Sequence, residues 1–263
     1  MKDFPLYEPE HDRADTVDFF YSRDSDTLPH FHRCIEILYI LSGGVRCEVD
    51  GECTVCEKDD IVFVRKCAVH ALSPAPGYTD YVLIIGQRYS DDFRGIFQAE
   101  SLPNYLSDRA FNRSLFPHFK ALADLSDAPE LVKKGYINII VGSLLGHYPC
   151  VPAKTSPNIG TVISAINYID KHYREPLSLE RLSAEFGYNK YNFSRLYNLY
   201  IGESLNAYIN AVRVRNLVSE AKKTENPNLS ELVFSNGFDS MTTFYRTFSK
   251  YYSRPPREVF RER

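Results

Sequence analysis

Leu229-Ser230-Glu231-Leu232, four further residues, Gly237, then Phe244-Tyr245-Arg246-Thr247-Phe248 is the stretch that decides the fold. It repeats an earlier one: Leu179-Glu180-Arg181-Leu182, four residues, Gly187, then Phe193-Ser194-Arg195-Leu196-Tyr197. The first half recurs at an offset of 50 residues and the second at 51, so one residue has been added between Gly237 and Phe244. Each copy is an apolar helix face, a Gly, and a second helix face carrying polar side chains. This is the pattern of a helix-turn-helix, and two of them predict a chain that meets duplex DNA at two adjacent points.

Working outward, residues 158–263 read as helical throughout. Ile163, Ile166 and Ile169 start an amphipathic helix. Ser178 is placed to cap a helix start, with Arg181 where a capping box would have Glu or Gln. Gly202 and Gly237 read as turn residues, and a long helix is expected from about Ser204 to Lys223, ending near Asn226-Pro227-Asn228. Within the two units, at about 179–200 and 229–250, Leu179, Leu182, Phe186, Phe193, Leu196 and Tyr197 are expected in the core. Their counterparts are Leu229, Leu232, Phe234, Phe244 and Phe248. What is left to face solvent is the expected reading surface: Lys190, Tyr191, Asn192, Ser194, Arg195 and Asn198 in the first copy, Met241, Thr242, Thr243, Tyr245 and Arg246 in the second. Arg matches guanine, Asn matches adenine, and apolar parts of Thr, Met and Tyr suit thymine methyls. Lys190, Lys250, Arg254 and Arg257 suit phosphate. Arg195 and Arg246 have an alternative use as intramolecular salt bridges bracing their helices.

Charge divides the same way. Residues 1–157 hold 16 Lys and Arg against 23 Asp and Glu, a net of −7; residues 158–263 hold 15 against 11, a net of +4. The basic half is the one suited to a polyanion. No long apolar run predicts a membrane span, and Met1–Pro5 begins no signal-peptide core, so a cytoplasmic protein is expected.

Residues 1–90 read as short strands: Cys34–Leu41, Val45–Val49, Cys53–Cys56, Ile61–Val64 and Tyr81–Ile85, with Asp50-Gly51 as a hairpin turn. So many short strands predict a small barrel or jelly roll. Residues 91–148 read as helical, most strongly over Pro129–His147, and Pro149–Pro157, with three prolines, reads as a linker. The expected organisation is therefore α+β and multidomain: 1–148, linker 149–157, and an all-α 158–263. All six cysteines precede the basic half. Cys53-x-x-Cys56 has metal or redox spacing, but strand alternation would send the two thiols to opposite faces. Alternation also puts His30, His32 and Glu36 on one face, where a later strand can bring His70. Three imidazoles and a carboxylate suit a transition metal.

Along residues 160–263 the chain resembles the AraC/XylS family of bacterial transcription regulators. The resemblance rests on Gly237-Phe238-Asp239-Ser240, Phe244 to Lys250, Pro255-Pro256-Arg257, Ser194-Arg195-Leu196-Tyr197, Gly202-Glu203-Ser204 and Tyr208-Ile209-x4-Arg213. It implies two helix-turn-helix units joined by one long helix and inserted into successive major-groove segments. Departures fall at Ser183, Val233 and Leu217, where small alanines are usual. The front half, at His30-x-His32-x3-Glu36-x6-Gly43 and Asp59–Val64 running into His70, resembles a cupin barrel, although Arg65-Lys66-Cys67 replaces the usual Pro-x-Gly. By that resemblance His30, His32, Glu36 and His70 would line a pocket for a small effector such as a sugar, without metal or other cofactor, and Tyr39 and Arg46 join the expected pocket as aromatic and polar groups suited to a sugar. The helix at 129–147 would carry a homodimer contact, and RNA polymerase would be a partner of an activator. The alternative is a cupin metalloenzyme with a helical accessory domain.

Overall fold

Alternation along the strands sets the first half of the molecule. In Ile35–Ser42 the even positions 36, 38 and 40 and the odd positions 35, 37 and 39 are all buried, so this strand has core on both sides. The computed structural model describes residues 6–7, 17–86, 89, 93, 100–125, 128–152, 157–201, 204–224 and 227–261. Two compact units result, Met1–Thr155 and Ser156–Arg263.

The first unit contains β1 (Leu6–Tyr7), β2 (Val17–Arg23), β3 (Thr27–Phe31), β4 (Ile35–Ser42), β5 (Gly44–Val49), β6 (Glu52–Glu57), β7 (Ile61–Val64), β8 (His70–Pro74), β9 (Thr79–Ile85), β10 (Glu100–Ser101), β11 (Tyr105–Leu106) and β12 (Val151–Pro152). One sheet runs β1-β3-β8-β5-β6 and the other β11-β7-β4-β9-β2. Their facing sides share a core of Leu38, Ile40, Val45, Cys47, Val62, Leu72, Val82 and Ile84, among others. The outer side of the second sheet, through Ile37, Tyr39, Phe63 and Leu83, packs under α1 (Arg109–Ala123) and α2 (Glu130–His147), which contribute Leu115, Phe119, Ile137, Ile140 and Leu144. The pairings among the described residues make two separate five-stranded sheets and do not join them into a closed barrel. Asp50-Gly51 is the β5–β6 turn, with Asp50 and Gly51 both at positive φ.

Two expectations change. The segment 91–148 is not helical from its start: β11 pairs with β7, Tyr105 opposite Val62, and much of 87–99 lies outside the described residues. The expected linker is tied down at its front, because Val151 and Pro152 pair with Ser101 and Glu100; Ala153–Ser156 lie outside the described residues.

The second unit is all helix: α3 (Pro157–His172), α4 (Leu179–Glu185), α5 (Lys190–Ile201), α6 (Leu205–Lys223), α7 (Leu229–Ser235), α8 (Met241–Tyr251) and α9 (Pro256–Val259). Ser204 caps α6 by accepting from the Ala207 amide; Gly202, Glu203 and Asn226 lie outside the described residues. Among the described residues no helix is long and apolar enough to cross a membrane.

Candidate nucleic-acid interface and interior histidine cluster

The two repeat copies build the same local geometry from different caps. Ser178 caps α4 by accepting from Arg181 N, and Asn228 caps α7. Each of these helices ends on a glycine at positive φ, Gly187 at +71° and Gly237 at +87°. The residue after each glycine reaches back: Tyr188 N to Ser183 O at 2.8 Å and Phe238 N to Val233 O at 3.2 Å. These bonds satisfy carbonyls that a helix end would otherwise leave open. Four residues, 186–189, separate α4 from α5, and five, 236–240, separate α7 from α8. The inserted residue therefore lies in the second turn. Asn189 then caps α5 through Asn192 N at 2.8 Å, and Ser240 caps α8 through Thr243 N at 3.2 Å.

Buried Leu182, Phe193 and Tyr197 hold the first unit, and Leu232, Val233, Phe244 and Phe248 the second. Leu179, Phe186 and Leu196 are half-buried. Phe234 departs from expectation: it is 54% exposed, and Val233 fills the core, since the inward stripe of a two-turn helix has room for 232 and 233 but not 234.

Arg213 ties the halves of this unit together. It is buried on α6 and donates from Nε to Tyr173 O at 2.8 Å and from Nη2 to Glu175 O at 3.0 Å, with its guanidinium 5.9 Å from the Phe238 ring centroid. Burial lowers its pKa, partly countered by Asp239. Asn236 and Arg174 both donate to Glu220 on α6, at 3.1 and 3.2 Å. The segment 173–175 before α4 and the turn before α8 are thus fixed to one helix. Arg213 was legible only as a family position; one Arg on the apolar face Tyr208, Ile209, Val212 and Leu217 is the local signal.

Of the expected reading residues, Tyr191, Asn192, Arg195, Thr242, Tyr245 and Arg246 are exposed on α5 and α8, while Ser194, Met241 and Thr243 are half-buried. Neither Arg195 nor Arg246 makes an ion pair among the described residues, which leaves both guanidinium groups on the surface. Lys190 is paired with Glu180 of α4. Thr243 is engaged in its own cap, receiving a hydrogen bond from the Ser240 hydroxyl at 3.1 Å.

In the first unit, His30 on β3, His32 just after it, Glu36 on β4 and His70 on β8 come together, all buried, with one ligand atom from each lying within 4.8 Å of the others; they meet across the two sheets and not, as alternation predicts, along one strand face. His30 is the cross-strand neighbour of His70. Glu36 Oε2 lies 2.8 Å from His32 Nε2 and 3.2 Å from His70 Nε2. The His70 Nδ1 donates to Ala68 O at 3.1 Å and the His30 Nδ1 to Leu28 O at 2.9 Å, which turns each Nε2 toward the cluster. Burial works against the Glu36 carboxylate, but the charge and hydrogen bonds of His70 and His32 outweigh it and hold its pKa well below the ordinary range. Three imidazoles and a carboxylate at this spacing are a donor set for a divalent transition metal.

Tyr39 and Arg46 do not join this cluster. Tyr39 has the opposite parity to Glu36 on β4 and faces α1, donating its hydroxyl to Asp59 at 2.8 Å. Arg46 lies between inward Val45 and Cys47 and is exposed on the outer side of its sheet. Cys53 is exposed and Cys56 buried, on opposite faces. Two hollows of about 430 and 420 Å³ open elsewhere, one beside Asp24, Asp26 and Ser73–Pro76, the other between Val17–Phe20 and Leu122, Leu125 and Lys133. Neither is lined by the histidines.

Comparison with known proteins now bears on the helical unit. A family described as "Helix-turn-helix domain" matches residues 182–262. The multiple antibiotic resistance protein MarA of Escherichia coli is 33% identical over 96 residues, 36% of this chain and 75% of that protein. The chain belongs to the AraC/XylS family of transcription regulators. Another relative, the right origin-binding protein of E. coli, is 30% identical over 97 residues, 37% of this chain but 33% of that protein. Among solved structures, apo ToxT of Vibrio cholerae aligns over 93% of this chain and 96% of its own at 13% identity and a TM-score of 0.44. AraC/XylS proteins are DNA-binding regulators and not enzymes, so membership displaces the metalloenzyme alternative.

Proposed function

We propose that this AraC/XylS regulator is a ligand-responsive, sequence-specific transcription factor in which α5 and α8 enter successive major-groove segments of one duplex. Tyr191, Asn192, Ser194 and Arg195 read the first segment, and Met241, Thr242, Tyr245 and Arg246 the second, with Thr243 shaping the cap and Lys190 at the phosphate margin. The observation that carries this reading is the pair of exposed arginines, Arg195 and Arg246, at matching positions of two capped second helices. In a gel-shift titration on a selected operator, Arg246→Ala is expected to lower specific affinity by about 1–3 kcal/mol and to relax preference at one base pair. Unchanged, equally selective binding would refute the assignment.

The first unit, Met1–Thr155, is on this reading a cupin-like sensor and the second, Ser156–Arg263, the DNA-binding domain, with the link between them falling after β12. Effector binding at His30, His32, Glu36 and His70 shifts the population of DNA-competent arrangements. The closeness of the four ligand atoms favours a divalent transition metal as the direct occupant. A sugar-sized effector, and with it control of carbohydrate or other small-molecule metabolism genes, is the second reading; it would have to displace side chains between the sheets. The outer face of α2, with Leu131 and Ile139 exposed, suits a homodimer contact. RNA polymerase is the further partner where the output is activation.

A further inference from the structure

The repeat supplies its own control for the chemistry of base reading. At the offset of 51, Lys190 corresponds to Met241, Tyr191 to Thr242, Asn192 to Thr243, Ser194 to Tyr245 and Arg195 to Arg246. The arginine is shared, and its neighbours differ in kind. On α5 the position before the arginine is the small hydroxyl of Ser194, and three before it is an exposed amide, Asn192. On α8 the position before the arginine is Tyr245, 47% exposed and braced at 5.2 Å against the buried Phe244 ring. Three before it is the half-buried Thr243, whose hydroxyl accepts a hydrogen bond from the Ser240 hydroxyl within the cap. At the first residue of the helix, Lys190 is held by Glu180, whereas the corresponding pair in the second copy, Met241 and Ser230, has no charge.

We propose, building on the regulator reading above, that the two helices read DNA by different chemistry: α8 recognises thymine C5-methyl groups, chiefly through the ring of Tyr245 with the exposed parts of Thr242 and Met241, while α5 reads by hydrogen bonding through Asn192 and Ser194. An amide offers the donor and acceptor that adenine presents in the major groove, and an apolar edge meets the thymine methyl. Tyr191 gives α5 one ring of its own, so the asymmetry is a difference of degree, set by the Ser194/Tyr245 exchange. The groove segment under α8 is therefore one with thymine next to the guanine that Arg246 reads.

The test uses the full chain and an operator obtained by selection from random duplexes. The base position at which Arg246→Ala relaxes selectivity marks the segment under α8, and Arg195→Ala marks the other. Thymines in one segment at a time are then replaced by deoxyuridine, which keeps base pairing and removes only the methyl. Each contacted methyl removed under α8 is expected to weaken binding about fourfold, from the transfer free energy of one buried carbon. Under α5 the effect is expected to be smaller. Tyr245→Ser, which copies the first helix, is expected to lower the methyl dependence under α8 to that under α5, and Tyr245→Phe to keep it. Equal dependence in the two segments, no thymine in the segment under α8, or a Tyr245→Phe variant that behaves like Tyr245→Ser would overturn the proposal while leaving specific binding intact. Failure of selection to enrich any sequence would overturn the regulator reading itself, and this proposal with it.

Discussion

Gly237→Ala tests whether the second turn is fixed by its surroundings or only by its own backbone. A Cβ built on Gly237 falls 2.7 Å from Tyr173 O, 2.9 Å from Arg174 O and 3.0 Å from Arg174 Cα. All three are backbone atoms, and Tyr173 O already accepts the Arg213 Nε hydrogen bond at 2.8 Å. A Cβ at Gly187 meets nothing within 4 Å. Both positions have positive φ, so alanine at either costs about 1–2 kcal/mol in backbone strain. Part of that is returned, about 0.4–1 kcal/mol, because alanine also narrows the unfolded ensemble. Gly187→Ala is thus expected to destabilise by ~1 kcal/mol. At Gly237 the carbonyls must also move, which adds about 1–3 kcal/mol as overpacking, together with weakening of a hydrogen bond to a charged group worth about 1.5–3 kcal/mol. Gly237→Ala is expected to cost roughly 3–5 kcal/mol. Scanning calorimetry of the whole chain, following the transition assigned to the helical unit, would read this as a shift of about 4–8 °C for Gly187→Ala. The shift for Gly237→Ala should be at least twice as large. Equal shifts would show that the close approach at Tyr173 and Arg174 relaxes freely, and the reasoning would fail.

Two further outcomes follow from the first unit. Asp80 is buried between the sheets, its carboxyl oxygens have no hydrogen-bond partner among the described residues, and burial, partly offset by the nearby Tyr78 and Ser22 hydroxyls, pushes its pKa up to about 6. A carboxyl raised on folding contributes stability that is present below its unfolded value near ~4 and lost as pH rises through the folded value. Asp80→Asn should therefore raise the melting temperature of this unit at pH 7.5, by an effect on the order of 2 kcal/mol, and change little near pH 4; an unaltered pH profile would contradict it. For the histidine cluster, metal analysis of the protein before and after chelator treatment should find about one transition-metal ion per chain, lost on chelation and absent from His70→Ala, as expected for a site of these donors. Protein equally metal-free before chelation and after incubation with zinc or cobalt would remove the metal reading.

The helical half was legible because its sequence repeats. Two copies of one pattern fix which positions are inward, and the single-residue offset places the longer turn between Gly237 and Phe244, in agreement with the turns 236–240 and 186–189. What the pattern missed is tertiary. Phe234 reads as core by composition yet is exposed, because in a two-turn helix a one-position rotation decides which residue faces in, and Val233 takes the place. The roles of Arg213 and Glu220 depend on carbonyls and side chains from 173–175 and 236, far along the chain, and no local period encodes them.

In the front half, period-two alternation fixes the face within each strand, but His30, His32 and Glu36 do not share one: β3 ends at Phe31 and β4 begins at Ile35 in the other sheet, so with His70 they meet across the two sheets. The same rule, applied consistently, places Tyr39 opposite Glu36 and sends Arg46 outward between Val45 and Cys47. Those two residues entered the expected pocket on the strength of their chemistry, suited to a sugar, against their register. Strand β4 has core on both of its faces, so burial alone does not separate inward from outward residues there; only the partner does. Glu36 meets histidines between the sheets, and Tyr39 meets Asp59, which Arg113 of α1 clasps from the far side at 2.8 Å. The identity of an interior site is therefore carried by parity and pairing together, and a candidate residue that satisfies chemistry but violates parity belongs to the opposite face of the sheet.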